Sequence, residues 1–271
     1  MEYSALRGLK TEDYEYPGEN NAFAVLKKVP FLDQVTAGFL KLQIQTGLLP
    51  GIQGDCFRIT EDTCPEIYHL YQTALRRLDM PEEYPLYART EFDYNAFAAG
   101  GESFIVVYSS ILNHFQPDEL LFILGHELGH IKSGHTIYQN MAENLRSLIS
   151  QIPMIGQEAA IGLFFALHKW YRMHECTADR AGAIAAGSVE AGIRGLSRLM
   201  GTDERLPLIR FSEEDILRQN DAFEEENEDF ITKVICLAQI AGSQHPWSVT
   251  RVKRLHEWGE SGGFETLIYS Y

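Results

Sequence analysis

The sequence predicts an α+β fold, mainly helical, with one small β-sheet. Two observations carry that class. Segments rich in β-formers, with alternating or continuous apolar residues, gather in one stretch of roughly residues 84–109. From Gln116 onward the apolar residues recur at helical spacing almost everywhere. At 271 residues the chain can bury a sizeable core. It is expected to form one compact unit, with residues 1–80 as an N-terminal arm and helices packed on a main domain of residues 81–271.

The elements follow in order. Residues 1–30 are polar and turn-rich, with Pro17-Gly18 and Pro30, and read as an extended arm. "FLDQVTAGFLKLQIQTGL" (residues 31–48) has helical spacing and stops at "LLPGIQG". "TCPEIYHLYQTALRRLDM" (63–80) is a second helix, with Thr63 as its cap and Pro65 in the first turn. "YPLYARTE" and "ESFIVVYS" read as strands on either side of "FDYNAFAAGG", which carries a Gly-Gly turn signal, so three or four strands are expected. "QPDELLFILGHELGHIKSGH" (116–135) opens a helix with Pro117 at its first position and acidic residues in the first turn. Helical patterns then cover about 136–152 and 156–186, broken near Pro153, and about 188–200. A loop follows Gly201, then acidic helical stretches around "FEEENEDF", and a last helix at "PWSVTRVKRLHEW". The run "EEENED" (224–229) reads as a solvated face rather than an interaction element.

Charge and composition narrow the function. A formal net charge of −15 disfavours nucleic acid as a partner and repels anionic membrane faces. Cys56, Cys64, Cys176 and Cys236 form no CxxC pair, so they read as buried or free thiols, with a Cys56–Cys64 pairing left open. The first twenty residues lack the basic and apolar regions of a signal peptide. The most apolar run, Ala159–Leu167, is about half of the ~20 residues a membrane span needs. The expectation is a soluble, cytoplasmic protein without a transmembrane segment; peripheral membrane contact through this helix stays open.

The chemistry gathers in "ILGHELGHIKSGH" (Ile123–His135). On a helix His126 and His130 lie one turn apart, so both rings share a face and can form two legs of a zinc tetrahedron. Glu127 lies beside the first histidine, placed to reach a water rather than the metal. This HExxH pattern is short enough to arise by chance, so the third ligand decides. His135 lies about 180° from His126 on a continued helix, and is read instead as a polar residue interacting with the helix's last carbonyls. A later glutamate is the other route, and Glu143, Glu158 and Glu175 are the candidates. Glu143 sits in polar surroundings. Glu175 lies in "WYRMHECTADRAGAIAAG", whose small residues permit close approach of another helix. Asp179 is one turn further along the same face, where a carboxylate can accept the second ring N–H of a ligand histidine. The competing reading of Glu175 and Asp179 is an exposed acidic stripe.

HELGH (126–130) followed by ECTAD (175–179) resembles the HExxH…ExxAD pattern of one gluzincin family. That family includes the CAAX prenyl endopeptidases, the HtpX-type heat-shock proteases and soluble bacterial peptidases. "NAFAAGGESFIVV" resembles its Asn-Ala-Phe strand, and "HPWSVTR" its late His-Pro…Arg element. Four ordered motifs span roughly residues 84–260, and "WYRMHECTADRAG" is most similar to the soluble branch. The resemblance implies a zincin-like metallopeptidase with the small sheet beside the HExxH helix. It implies one zinc per chain, held by His126, His130 and Glu175, with Glu127 as general base. It implies Asp179 as a supporting carboxylate, and Arg251 as a partner of active-site carboxylates. His245 is implied near the substrate oxyanion or as a transient cap on the metal. Asn95, Ala96 and Phe97 are implied as the cleft edge that receives substrate.

The resulting expectation is a zinc endopeptidase acting on peptides or unfolded proteins. The alternative is a zinc-bound chaperone-like holdase with weak or latent proteolysis. His174 adjoins Glu175 but points roughly 100° away, and is read as structural together with His69, His114, His168 and His256. Trp170 and Trp247 read as core anchors.

Overall fold

Side chains that alternate between two covered faces explain the sheet. In the computed structural model, which describes residues 5–30, 32–46, 48–99, 103–142, 157–202, 212–226 and 247–271, the strands are β1 (Phe57–Ile59), β2 (Leu86–Arg89), β3 (Ala96–Ala99) and β4 (Phe104–Tyr108). Their order is β1-β2-β4-β3, with β2 and β4 parallel and the outer pairings antiparallel. Leu86, Ala96, Ala98, Ile105 and Val107 face the main core, while Tyr87, Ala99, Phe104 and Val106 face a smaller cluster with Leu49 and Ile52. Both faces are covered, and this is why "FIVV" runs apolar instead of alternating. The fold is α+β, mainly helical, with this one four-stranded sheet.

The N-terminal third departs from expectation in three places. Residues 1–30 were expected to be extended; among those described, Thr11–Asp13 forms a 3-10 turn and Glu19–Leu26 a helix, α1, packed on a later helix. Tyr14, Phe23 and Leu26 are buried there, and this apolar content is what draws the segment in. Helix α2 (Leu32–Thr46) does not hand over to a loop, because "LLPGIQG" forms α3 (Leu48–Asp55). Pro50 falls in its first turn, where no amide hydrogen is required. Helix α4 (Pro65–Arg77) starts with Pro65 at its first position, but its cap is Cys64. Thr63 closes the preceding turn instead: its hydroxyl donates to the Arg58 carbonyl at 3.0 Å and accepts from the Thr60 amide at 2.9 Å. Cys56, Cys64 and Cys176 are free thiols.

After a short helix α5 (Ser109–His114), α6 (Pro117–Lys132) runs through the centre of the core and is buried from Glu119 to Ile131. Its start is firmly held. Glu119 accepts the Gln116 amide at 2.8 Å and pairs with the guanidinium groups of Arg198, 2.9 Å away, and Arg194, 3.6 Å away. Gly134, at φ +70°, ends the helical course. His135 therefore does not continue α6. It begins a further helical stretch, residues 136–142 (α7). Its ring packs 4.1 Å from that of Phe23, not against the last carbonyls of α6 as expected.

Helix α8 (Gln157–Ala186) lies along α6. Helices α9 (Val189–Leu199), α10 (Glu213–Glu226) and α11 (Ser248–Glu260) close the remaining sides. The chain ends on a helix the periodicity missed, α12 (Gly263–Ser270). Pro153 and Glu143 lie outside the described residues, as does the second half of "EEENED". Among the described residues no helix is long and apolar enough to cross a membrane.

Small residues set the α6–α8 contact. A Cβ on Gly125 would fall 2.2 Å from Ala185 Cβ, and one on Gly129 would fall 2.7 Å from Ala181 Cβ. Gly182, opposite, has no room beside Phe122, whose ring and carbonyl oxygen would both lie within 2.8 Å of an added Cβ. Gly125→Ala is therefore expected to lower stability by about 1–3 kcal/mol through overpacking, despite alanine's better helix propensity. Gly162→Ala, on the exposed part of α8 with open space around it, is the control and should not destabilise. Urea unfolding midpoints decide; a Gly125→Ala protein as stable as wild type would contradict the close contact.

Candidate metal centre

The α6–α8 contact carries three electron-pair donors to one point. His126 and His130, one turn apart on α6, bring their Nε2 atoms to 3.0 Å. Glu175 on α8 brings its carboxylate oxygens to 3.7 Å from His126 Nε2 and 3.2 Å from His130 Nε2. All three side chains are buried. They form a group whose ligand atoms lie within 4.8 Å of one another.

Whether this set suits a cation depends on the other ring nitrogens. His126 Nδ1 lies 3.0 Å from Asp179 Oδ1. Arg251, on α11, meets Asp179 through Nε at 2.8 Å and Nη2 at 2.5 Å, and reaches Glu175 through Nη1 at 3.1 Å. Burial alone would raise the Asp179 pKa, but the Arg251 guanidinium and His126 hold it below the ordinary carboxylate range. An ionised Asp179 accepts the Nδ1 proton of His126 and leaves a lone pair on Nε2. Burial also depresses both imidazoles, His130 to about 3, so both stay neutral near pH 7. Neutral imidazole is the form that binds a metal. Two nitrogens on one tetrahedral ion at ordinary Zn–N lengths stand about 3.3 Å apart. The observed 3.0 Å separation, with a carboxylate alongside, fits such an ion.

His130 is served differently. Its Nδ1 lies 3.0 Å from His174 Nε2, and His174 Nδ1 lies 2.7 Å from Glu19 Oε1 on α1. Thr177 donates its hydroxyl to Glu19 Oε2 and accepts the Tyr16 amide at 2.9 Å. Burial works against ionisation of Glu19, but His174 and these hydrogen bonds bring its pKa below the usual carboxylate value. Sequence reasoning missed Glu19, His174 and Thr177. The helical wheel did turn His174 about 100° from Glu175; that direction is where α6 presents His130. Glu19 stands 155 residues away and carried no motif.

Glu127 is buried beside the histidine pair and lines a narrow cavity with Asn95, Ala96, His126 and Arg251. Ala96 begins β3, the strand at one edge of the sheet. Phe97 does not share that face. Strand alternation turns it toward Tyr87, Phe104 and Tyr108, so its side chain is on the far side of the sheet from Glu127. His245 and Pro246 lie outside the described residues. Of the other histidines, His69 meets the Pro65 carbonyl, His256 meets Glu213, and His168 packs on Phe164, all away from this centre. Trp170 is fully buried, whereas Trp247 is partly exposed and lies under Arg172 at 4.2 Å.

The chain is similar to known proteins. The model of peptidase family M48 matches residues 63–259. A protein of Arabidopsis thaliana, plastoglobule-localized metallopeptidase 48, chloroplastic, is 26% identical over 267 residues, which is 97% of this chain and 76% of that protein. Protease HtpX of Pseudomonas savastanoi pv. phaseolicola is 29% identical over 139 residues, 40% of this chain and 47% of that one. A protease HtpX homolog of Pyrococcus abyssi is 29% identical over 94 residues, 34% and 32% of the two chains. The chain spans less than half the length of these HtpX proteins.

Removing a ligand should be read in the metal content. Glu175→Ala is expected to lose metal on dialysis, while His135→Ala, whose residue belongs to a neighbouring group with Glu19 and His174, keeps it. Elemental analysis of the purified variants checks this. Full metal retention by Glu175→Ala would remove it from the ligand set.

Proposed function

The chain belongs to peptidase family M48 and is a metallopeptidase, and on that premise we propose that it is a zinc-dependent endopeptidase for extended or unfolded polypeptides. The observation that carries this reading is the convergence of His126, His130 and Glu175, with Glu127 next to them at the wall of the cavity that β3 borders. Three protein ligands leave a position open, whereas a purely structural zinc is usually closed by four.

Zinc, when bound, supplies a Lewis acid that polarises a carbonyl and lowers the pKa of water to about 7. The chain's own groups do the rest. Glu127 takes a proton from the attacking water and delivers it to the leaving amine. Asp179 and Arg251 hold the His126 ring and the Glu175 carboxylate in place. The main chain of Asn95–Phe97 offers a sheet edge to which an extended substrate adds by backbone hydrogen bonds, a mode that reads side chains weakly. Asn95 and Ala96 face the reacting groups; Phe97 contributes backbone only. His245, two residues before the cap of α11, is assigned to the oxyanion of the transition state, following the His-Pro…Arg resemblance. A cytoplasmic location belongs to the same proposal. Recovery of the protein with membranes on fractionation would overturn it; the name of one relative gives a plastoglobule location for that protein.

Glu127→Gln tests the chemistry apart from binding. It should retain zinc and the wild-type unfolding midpoint while cleavage of an unfolded casein-like substrate falls by at least about a hundredfold. Equal cleavage by the two proteins, contaminant proteases excluded, would refute the general base. If the wild type also fails to cleave but suppresses aggregation of a denatured client, the holdase reading takes its place. His245→Ala separates two roles by sign. As an oxyanion donor it should cost roughly a hundredfold or more in kcat with zinc retained. A rise in activity would make it a cap on the metal instead, and an unchanged kcat would remove it from the site.

A further inference from the structure

The two ligand histidines are oriented by different devices, and only one lies within the family-matched residues. We propose that Glu19 and His174 are positioning residues for the metal, a hydrogen-bonded relay through which the N-terminal segment fixes the proton of His130 on Nδ1 and turns the Nε2 lone pair toward the metal. This rests on the metallopeptidase reading above.

The carrying observation is that the donors on both arms of the chain point toward the Glu19 carboxylate. The Tyr16 amide donates to Thr177 Oγ1, which commits that hydroxyl's proton elsewhere. Thr177 gives it to Glu19 Oε2. Glu19 Oε1 then faces His174 Nδ1, and a carboxylate can only accept, so the His174 proton sits on Nδ1. His174 Nε2 is left as an acceptor. Its neighbour Ser133 cannot claim it, because the Ser133 hydroxyl donates to the His130 carbonyl at 2.8 Å. The remaining partner is His130 Nδ1, which must therefore carry the proton. Rotation of the middle ring is blocked. His174 has no solvent exposure and stacks on Trp170 with centroids 4.8 Å apart and planes 18° from parallel.

The relay places part of the metal centre outside residues 63–259, where the family model matches. Glu19 is buried at 3% exposure and sits on α1. Arg180 clamps the segment before it by donating to the Glu15 carbonyl at 2.9 Å, and the Tyr14 ring is buried. Docking of the N-terminal segment and the metal affinity of His130 are thereby coupled. Displacing α1 would free His174 to exchange its tautomer and take the orienting acceptor from His130.

Zinc affinity of the full-length protein, measured by competition with a chromophoric chelator, tests this without reference to cleavage. Glu19→Ala and His174→Phe should each weaken binding by about 10–100-fold, the range for losing the partner of a ligand histidine. Phe keeps the stack on Trp170 but makes no hydrogen bond. His174→Gln, whose amide can accept from His130 and donate to Glu19, should recover most of the loss, which a packing role alone would not produce. Cobalt-substituted protein should show a changed visible spectrum in His174→Phe and a near-native one in His174→Gln. If His174→Phe does not fold, Glu19→Ala carries the comparison. Folded Glu19→Ala with wild-type affinity would overturn the relay. So would two zinc ions per chain, because a second ion among Glu19, His135 and His174 needs the His174 Nδ1 lone pair. In either case loss of a zinc ion in Glu175→Ala would leave the metallopeptidase reading standing. A wild-type protein that binds no zinc would overturn both.

Discussion

The candidate metal centre forms because α6 and α8 can touch backbone to backbone. Gly125 and Gly129 on one helix meet Ala178, Ala181 and Ala185 on the other, and the space an added Cβ would need is already filled. The constraint has a chemical purpose. A carboxylate on a short stem must reach two imidazoles rooted on the neighbouring helix. The close approach sets the Glu175 carboxylate 3.2 Å from His130 Nε2. The glycine of HELGH is therefore part of the site although it has no side chain to offer.

The same contact forces charged and polar groups into the core, and their mutual satisfaction decides whether the site holds its shape. Glu175 and Asp179 share Arg251, which is itself buried. Breaking such a buried pair costs far more than the pair contributes against apolar replacements, so the arrangement specifies geometry more than it adds stability. Each ligand ring is also held by its Nδ1. His126 leans on a carboxylate directly. His130 leans on one through an intervening imidazole, and this longer arm extends the centre to α1.

The proposed relay would give the N-terminal helices a role in addition to packing. Helix α1 covers the half of α8 that also holds Trp170 and Tyr171, in a satellite core with α2 and residues of α7. β1 and α4, also early in the chain, belong to the sheet and the main core. The boundary between residues 80 and 81 thus falls between elements that pack together in one core.

The sequence by itself determined what local geometry controls. Residues four apart on a helix share a face, so His126 and His130 could be paired without coordinates. Proline at a first helical position and the β-former runs "YPLYARTE" and "ESFIVVYS" likewise belong to short-range sterics. Tertiary structure decided everything that depended on which elements meet. It set the Glu175 carboxylate against the two histidines, because the small residues around Ala178–Ala185 let α8 lie close against α6. It turned Phe97 away from the cleft, since the register of β3 against β4 sets that face. It brought Glu19 to His174 across 155 residues. Helices at "LLPGIQG" and Gly263–Ser270 were illegible for a related reason: Leu49 and Ile52 pack on a distant cluster, a proline in a first turn reads as a breaker, and periodicity over eight residues is too short to register either helix in advance. Covalent spacing encodes an interaction when both partners lie on one element. When they lie on two, the encoding is in the shape of the surfaces between them, and those exist only once the chain has folded.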